Sequence, residues 1–133
     1  MKSSDLSSYG FSAWLSFSKA GKPRLIASLP SRPGVYAIRW CREFVRKKGT
    51  SDILYFGKGT NQQGIKHRIR QYFSPGHLQK TNLRLLALIG DSSDYEIAYV
   101  ETKSGAEAVG LEATLLEKYE EEHGELPPEN KRR

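Results

Sequence analysis

Hydrophobic positions change period along the chain, and the order of those periods outlines a fold. Gly34 to Cys41 (GVYAIRWC) and Asp52 to Gly57 (DILYFG) are short runs rich in β-branched and aromatic residues, and they predict two strands. Pro30 and Pro33 keep the approach to the first strand out of a helix. Residues 42–51 (REFVRKKGTS) carry four Lys/Arg and end in turn-forming types, so they predict a basic loop closing a hairpin. Ile65, Ile69, Tyr72 and Phe73 then recur at helical spacing, with Thr60 or Asn61 as a cap and Ser74-Pro75-Gly76 as a stop. Leu78 to Ile89 predicts a second helix closed by Gly90, and Tyr95, Ile97 and Tyr99 alternate as a third strand should. Ser104, with Glu107 three positions on, opens a last helix whose apolar pattern persists to Tyr119. The order β, β, α, α, β, α predicts an α/β (α+β) domain, a small mixed or antiparallel three-stranded sheet flanked by helices. The Ser-rich residues 1–29, with Phe11, Trp14, Leu15, Phe17, Leu25, Ile26 and Leu29, predict an N-terminal extension of short helices packed on residues 30–133.

A chain of 133 residues, 38% hydrophobic, suits one core and excludes a multidomain enzyme. No run reaches the ~18 apolar residues of a membrane span, and the start MKSSDLSSYG lacks the pattern of a secretory signal. The expectation is a soluble, cytoplasmic protein. Cys41 is the only cysteine, which removes internal disulfides and cysteine-based structural zinc. The net charge of +6 is unevenly spread: residues 1–80 hold 15 Lys/Arg against 3 Asp/Glu, and residues 81–133 hold 6 against 12. Cations concentrated in one part of the chain suit a nucleic-acid surface, because neutralising phosphates releases counterions. A solvated basic surface is the plainer alternative.

Three features need more than a plain core. With Val109 set at zero on a helical wheel, the apolar arc of the last helix spans about 200° to 360°, and Glu112 falls near 300°, inside it. A carboxylate there must be paired, protonated or bound to metal. Arg68 lies at the margin of the stripe on the first helix, placed either to pair with Glu112 or to hold a phosphate with parallel guanidinium donors. Tyr36 and Tyr55 stand on successive strands, each two residues from a glycine, Gly34 and Gly57, which marks a close approach of backbone or ligand.

GVY at 34–36 and YFG at 55–57, separated by 18 residues, resemble the two halves of the signature of GIY-YIG nucleases. KGTNQQGIKHRIRQYF follows and matches the family's arginine at Arg68 and its His or Tyr at Tyr72. AEAVGLEATLLEKY resembles the helix bearing the family's metal-binding glutamate, here Glu112, and PPENKR places the family's asparagine at Asn130. The resemblance spans about residues 30–132, with a Glu112-to-Asn130 interval longer than usual, and LPSRPGVY and Tyr72 favour the nucleotide-excision-repair branch.

The resemblance implies a DNA endonuclease in which Glu112 binds Mg²⁺, with Mn²⁺ accepted, and Arg68 clamps the scissile phosphate. A tyrosine serves as general base, assigned here to Tyr36 with Tyr55 assisting, although the reverse order fits equally. Tyr72 would orient the phosphate or leaving group, and Asn130 would support the site by holding the glutamate helix. Lys58 is a cation close to the base. Arg42, Arg46, Lys47 and Lys48 in the loop, and Lys66 and Arg70 on the first helix, are candidate contacts to the DNA backbone. His67, His77 and His123 are read as surface residues. DNA is the expected partner, with a homodimer or a second protein for targeting, in a restriction, repair or mobile-element role. A DNA- or RNA-binding module that keeps the fold without cutting is the alternative, and it would have no use for Glu112 on a packed face.

Overall fold

The run beginning at Gly34 forms the longest strand in a computed structural model that describes residues 1–73 and 94–130. This strand, β2 (Gly34–Val45), follows β1 (Leu15–Ser16) and α1 (Lys22–Ser28), and precedes β3 (Thr50–Gly59), α2 (Gly64–Phe73), β4 (Tyr95–Glu101) and α3 (Gly105–His123). A 3₁₀ helix, Ser3–Tyr9, opens the chain. The sheet order is β1-β4-β2-β3 and every pairing is antiparallel. The three expected strands are there, but the sheet has four. Leu15 and Ser16 pair with Ile97 and Glu96, in a run too short for alternation to reveal. The expected helix at 78–89 and His77 lie outside the described residues. No helix among the described residues is long and apolar enough to cross a membrane.

Alternation along β2 divides two cores. Tyr36 and Ile38 face α1 and α2 and pack with Phe17, Leu25, Leu29, Ile65, Ile69, Tyr72 and Ile97. Val35 and Ala37 face α3 and pack with Ile53, Phe56, Ala108, Leu115, Leu116 and Tyr119. A sheet covered on both faces explains why the strands read as near-continuous apolar runs.

Several sequence boundaries move. The basic segment 42–51 is largely strand, because β2 runs to Val45 and β3 begins at Thr50, leaving only residues 46–49 as the turn. Helix α2 starts at Gly64, after a turn in which the Asn61 side chain accepts from the backbone N–H of Gln63 and Gly64. Ser104 does cap α3, its Oγ accepting from Glu107 N at 3.1 Å, but the Glu107 carboxylate bonds to Lys103 N instead of completing a reciprocal box. Val109 is 47% exposed, since the buried stripe centres on Ala108, Leu115 and Tyr119 and leaves it at the rim. His123 is buried: its Nδ1 lies 2.8 Å from the Lys48 carbonyl and its ring stacks near Tyr119, the long-range packing that a lone histidine in a sequence does not reveal.

Candidate active site

Register sets the site. Tyr36 pairs with Gly57 across β2 and β3, so the two residues share a sheet face. A Cβ at Gly57 would overlap the Tyr36 ring, which therefore lies across β3 in space that only glycine leaves. Gly34 has a similar reason: a Cβ there would strike the Val100 carbonyl of β4 and the Ile65 side chain of α2. Both signature glycines thus permit close approaches, one by a phenol and one by two neighbouring elements.

Helix α2 brings Tyr72 onto the same face, one turn beyond Arg68. The Tyr36 and Tyr72 hydroxyls are hydrogen-bonded, with ring centroids 6.0 Å apart, and the Tyr55 ring is 6.2 Å from that of Tyr36. The Arg68 guanidinium lies 5.0 Å from the centre of the Tyr72 ring, within cation–π range, and Nη1 donates to Gln71 at 3.0 Å. Phe17 closes the floor, its ring 6.4 Å from Tyr72 and 5.6 Å from Phe73.

Burial gives the phenols different characters. Tyr36 and Tyr72 are inaccessible, and desolvation pushes both well above the ordinary tyrosine range. Tyr55 also raises the Tyr36 value, while Arg68 and the hydrogen bond to Tyr72 pull against these effects without overturning them. Tyr55 is only partly buried. Burial opposes the charge on Arg68, but Tyr72, Tyr36 and Tyr55 more than offset it and hold the guanidinium firmly charged.

The next residue along the hairpin faces the other way. Lys58 pairs with Val35 and shares its face, where Nζ meets Glu112 Oε1 of α3 at 2.7 Å. The Glu112 side chain is 14% exposed and that of Lys58 37%, so the inward-facing carboxylate is compensated by a neighbouring ammonium. The partner left open between a salt bridge and a phosphate for Arg68 is therefore Lys58. Among the described residues no three His, Cys, Asp or Glu side chains group to hold a metal. Glu112 is the carboxylate on this face that could hold a divalent cation, since Mg²⁺ takes as few as one protein carboxylate and completes its shell with water and substrate oxygens.

Asn130 holds the strand rather than the glutamate helix. Its Oδ1 accepts from Phe56 N at 3.0 Å and its Nδ2 donates to Phe56 O at 2.9 Å. Strand β3 is the sheet edge, so one amide satisfies both exposed backbone groups of the residue before Gly57. Glu129 N also donates to the carbonyl of Leu54, which sits at a register shift in the hairpin.

The candidate DNA contacts separate. Lys66 and Arg70 lie on α2 and Lys58 beside Glu112 of α3, whereas the turn 46–49 packs against the far end of α3. Lys48 N bonds to His123 O, eleven residues and about 16 Å along the helix from Glu112. Arg46 is a structural residue, its side chain 12% exposed, with Nη2 donating to Leu126 O at 2.6 Å and pairing with Glu125 at 3.1 Å. Lys47, Lys48 and Arg42 remain exposed, away from the tyrosines. Phe17 and the register position of Lys58 opposite Val35 add to the site; periodicity alone places neither.

Comparison with known proteins agrees with this architecture. Residues 32–123 match the model of the UvrC-like GIY-YIG domain. The chain is 35% identical over 95 residues to UvrABC system protein C of Pediococcus pentosaceus, covering 71% of this chain and 13% of that protein. It is 32% identical over 108 residues to UvrABC system protein C of Clostridium acetobutylicum, covering 80% of this chain and 15% of that protein. The chain thus spans a small part of the length of these curated relatives. The matched segment contains both signature strands, the arginine helix and the glutamate helix, and the chain belongs to the UvrC-like GIY-YIG nuclease domain family.

Proposed function

We propose that the domain hydrolyses phosphodiester bonds of DNA in an excision-repair setting, with Tyr55 as the general base. The observation that carries this is the gathering of Tyr55, Tyr36, Tyr72 and Arg68 on one face of the hairpin, with the Lys58–Glu112 pair one register step away. Arg68 supplies planar donors for a phosphate and needs no proton to become charged. Tyr36 is sealed and its hydroxyl is engaged by Tyr72, so it suits shaping and relaying. Tyr55 has the access that a base must have to take a proton from water. Tyr72 acts through Tyr36 and the Arg68 guanidinium, and Asn130 keeps the edge strand straight beneath them.

Glu112 would hold the divalent cation, which when bound supplies Lewis-acid neutralisation of phosphate charge. Lys58 keeps that carboxylate compensated in the resting domain. The same ion pair favours a second reading, in which Glu112 is structural and the domain binds without cutting. Incubation of wild type with supercoiled plasmid and with flapped or branched DNA, in Mg²⁺, Mn²⁺ and EDTA, separates the two. Nicking that requires either metal is expected; binding without metal-dependent cleavage on every substrate would leave the binding module as the better account.

A further inference from the structure

We infer that α1, from the segment before the matched family region, extends the DNA surface of α2, with Lys22 joining Lys66 and Arg70 in a strip of strand-contacting cations. The inference rests on the nuclease reading for its substrate. It begins with the absence of acids: no Asp or Glu occurs between Asp5 and Glu43, and none occurs in α2. Helix α1 contributes Lys22, and among the described residues none of Lys22, Lys66 and Arg70 forms a salt bridge with a carboxylate.

The helices are joined. Lys22 Nζ lies 5.7 Å from the centre of the Phe73 ring at the end of α2, and Lys66 N donates to Pro30 O just after α1. Lys22, Pro23, Ile26 and Arg70 line one cavity of about 470 Å³. Two cations and no acid stand over an apolar floor. That chemistry fits a nucleotide whose phosphate meets Lys22 and Arg70 while its sugar rests on Pro23 and Ile26.

Geometry links this cavity to the site. On the wheel of α2 the buried stripe is Ile65, Ile69 and Tyr72; Arg68 flanks it on one side, while Lys66 and Arg70 lie on the other. His67 and Gln71, both half-buried, fill the arc between them. A strand held at Arg68 that crosses this face must travel roughly one helix diameter, about 10 Å. It then reaches Lys22 of α1. Phosphate contacts of this kind fix where a strand lies without reading its sequence.

The test is metal-free binding of a fluorescein-labelled flapped DNA in EDTA between 50 and 300 mM salt. It compares wild type, Lys22→Ala/Arg70→Ala, Lys66→Ala, and Lys2→Ala/Lys118→Ala, which removes two charges elsewhere. Each lost phosphate contact should reduce the salt slope by about one, so the first variant should lose about two and the control none. Lys66→Ala, on α2 and outside the cavity lining, should lower the slope by about one and guards against a packing defect at the cavity. Unchanged slopes and affinities in both strip variants would overturn the inference while leaving the nuclease reading intact. Wild-type cleavage, assayed alongside, tests that reading separately: binding through the strip with no cleavage on any substrate would sink the nuclease and keep the surface.

Discussion

The two faces of one hairpin solve the problem of placing reactive groups inside a small domain in opposite ways. On the Tyr36 face, neutral phenols are sealed and joined by a hydrogen bond, and desolvation keeps them protonated. On the Val35 face, a largely buried carboxylate is compensated by the more exposed Lys58. Neutral groups tolerate burial, whereas a charge needs either a partner or water. The site therefore depends on packing on one side and on pairing on the other, and the glycines at 34 and 57 allow both to meet within a single β register.

The sharpest way to break this arrangement is to fill the glycine spaces. Gly34→Ala should force β2 away from β4 and cost about 3 kcal/mol or more, and Gly57→Ala should displace the Tyr36 ring at about 1–3 kcal/mol, both read by urea denaturation. Next comes the proton-transfer assignment. Tyr55→Phe should slow single-turnover cleavage by about 10²- to 10⁴-fold with little change in stability. Tyr36→Phe should cost about 1–2 kcal/mol of stability, because it strands the buried Tyr72 hydroxyl, and should slow cleavage less. A larger rate loss for Tyr36→Phe would reverse the two roles.

The carboxylate side predicts a different balance. Lys58→Met should cost only about 1 kcal/mol, since the pair is partly solvated, and Asn130→Ala should cost about 1–2 kcal/mol by exposing two edge groups of Phe56. The smallest effect under ordinary conditions is on the alkaline side. The folded values of Tyr36 and Tyr72 lie above the unfolded one, so their contribution to stability is complete below about pH 10. It is lost as pH rises from there through the raised folded values. Absorbance titration at 295 nm should show two phenols that resist ionisation until the domain unfolds.

Much of this was legible before any coordinates. Glu112 stood out because a wheel puts an acid in an apolar arc, and Arg68 because it borders a stripe; both positions follow from local periodicity. The glycines announced close approaches without naming what approaches. Long-range facts were hidden: that Lys58 compensates Glu112 depends on strand register, and that Arg46 and His123 are packed depends on the C-terminal segment folding back on the hairpin turn. Asn130 was expected to hold a helix and holds a strand, because a sequence does not say which strand is the exposed edge. Burial is what favours Tyr55 over Tyr36 in the proposed base assignment, since alternation tells which face a tyrosine takes and says nothing of how deeply that face is covered.

The central claim is that the phenol face and the carboxylate face form one catalytic unit. A double-mutant cycle on single-turnover DNA cleavage, with Tyr55→Phe, Glu112→Gln and the double variant at saturating protein, tests it directly. Residues acting as a unit are strongly non-additive, so the double variant should be about as slow as the slower single one while DNA binding in EDTA persists. Losses that simply multiply, or a Glu112→Gln variant that cuts like wild type, would contradict the account.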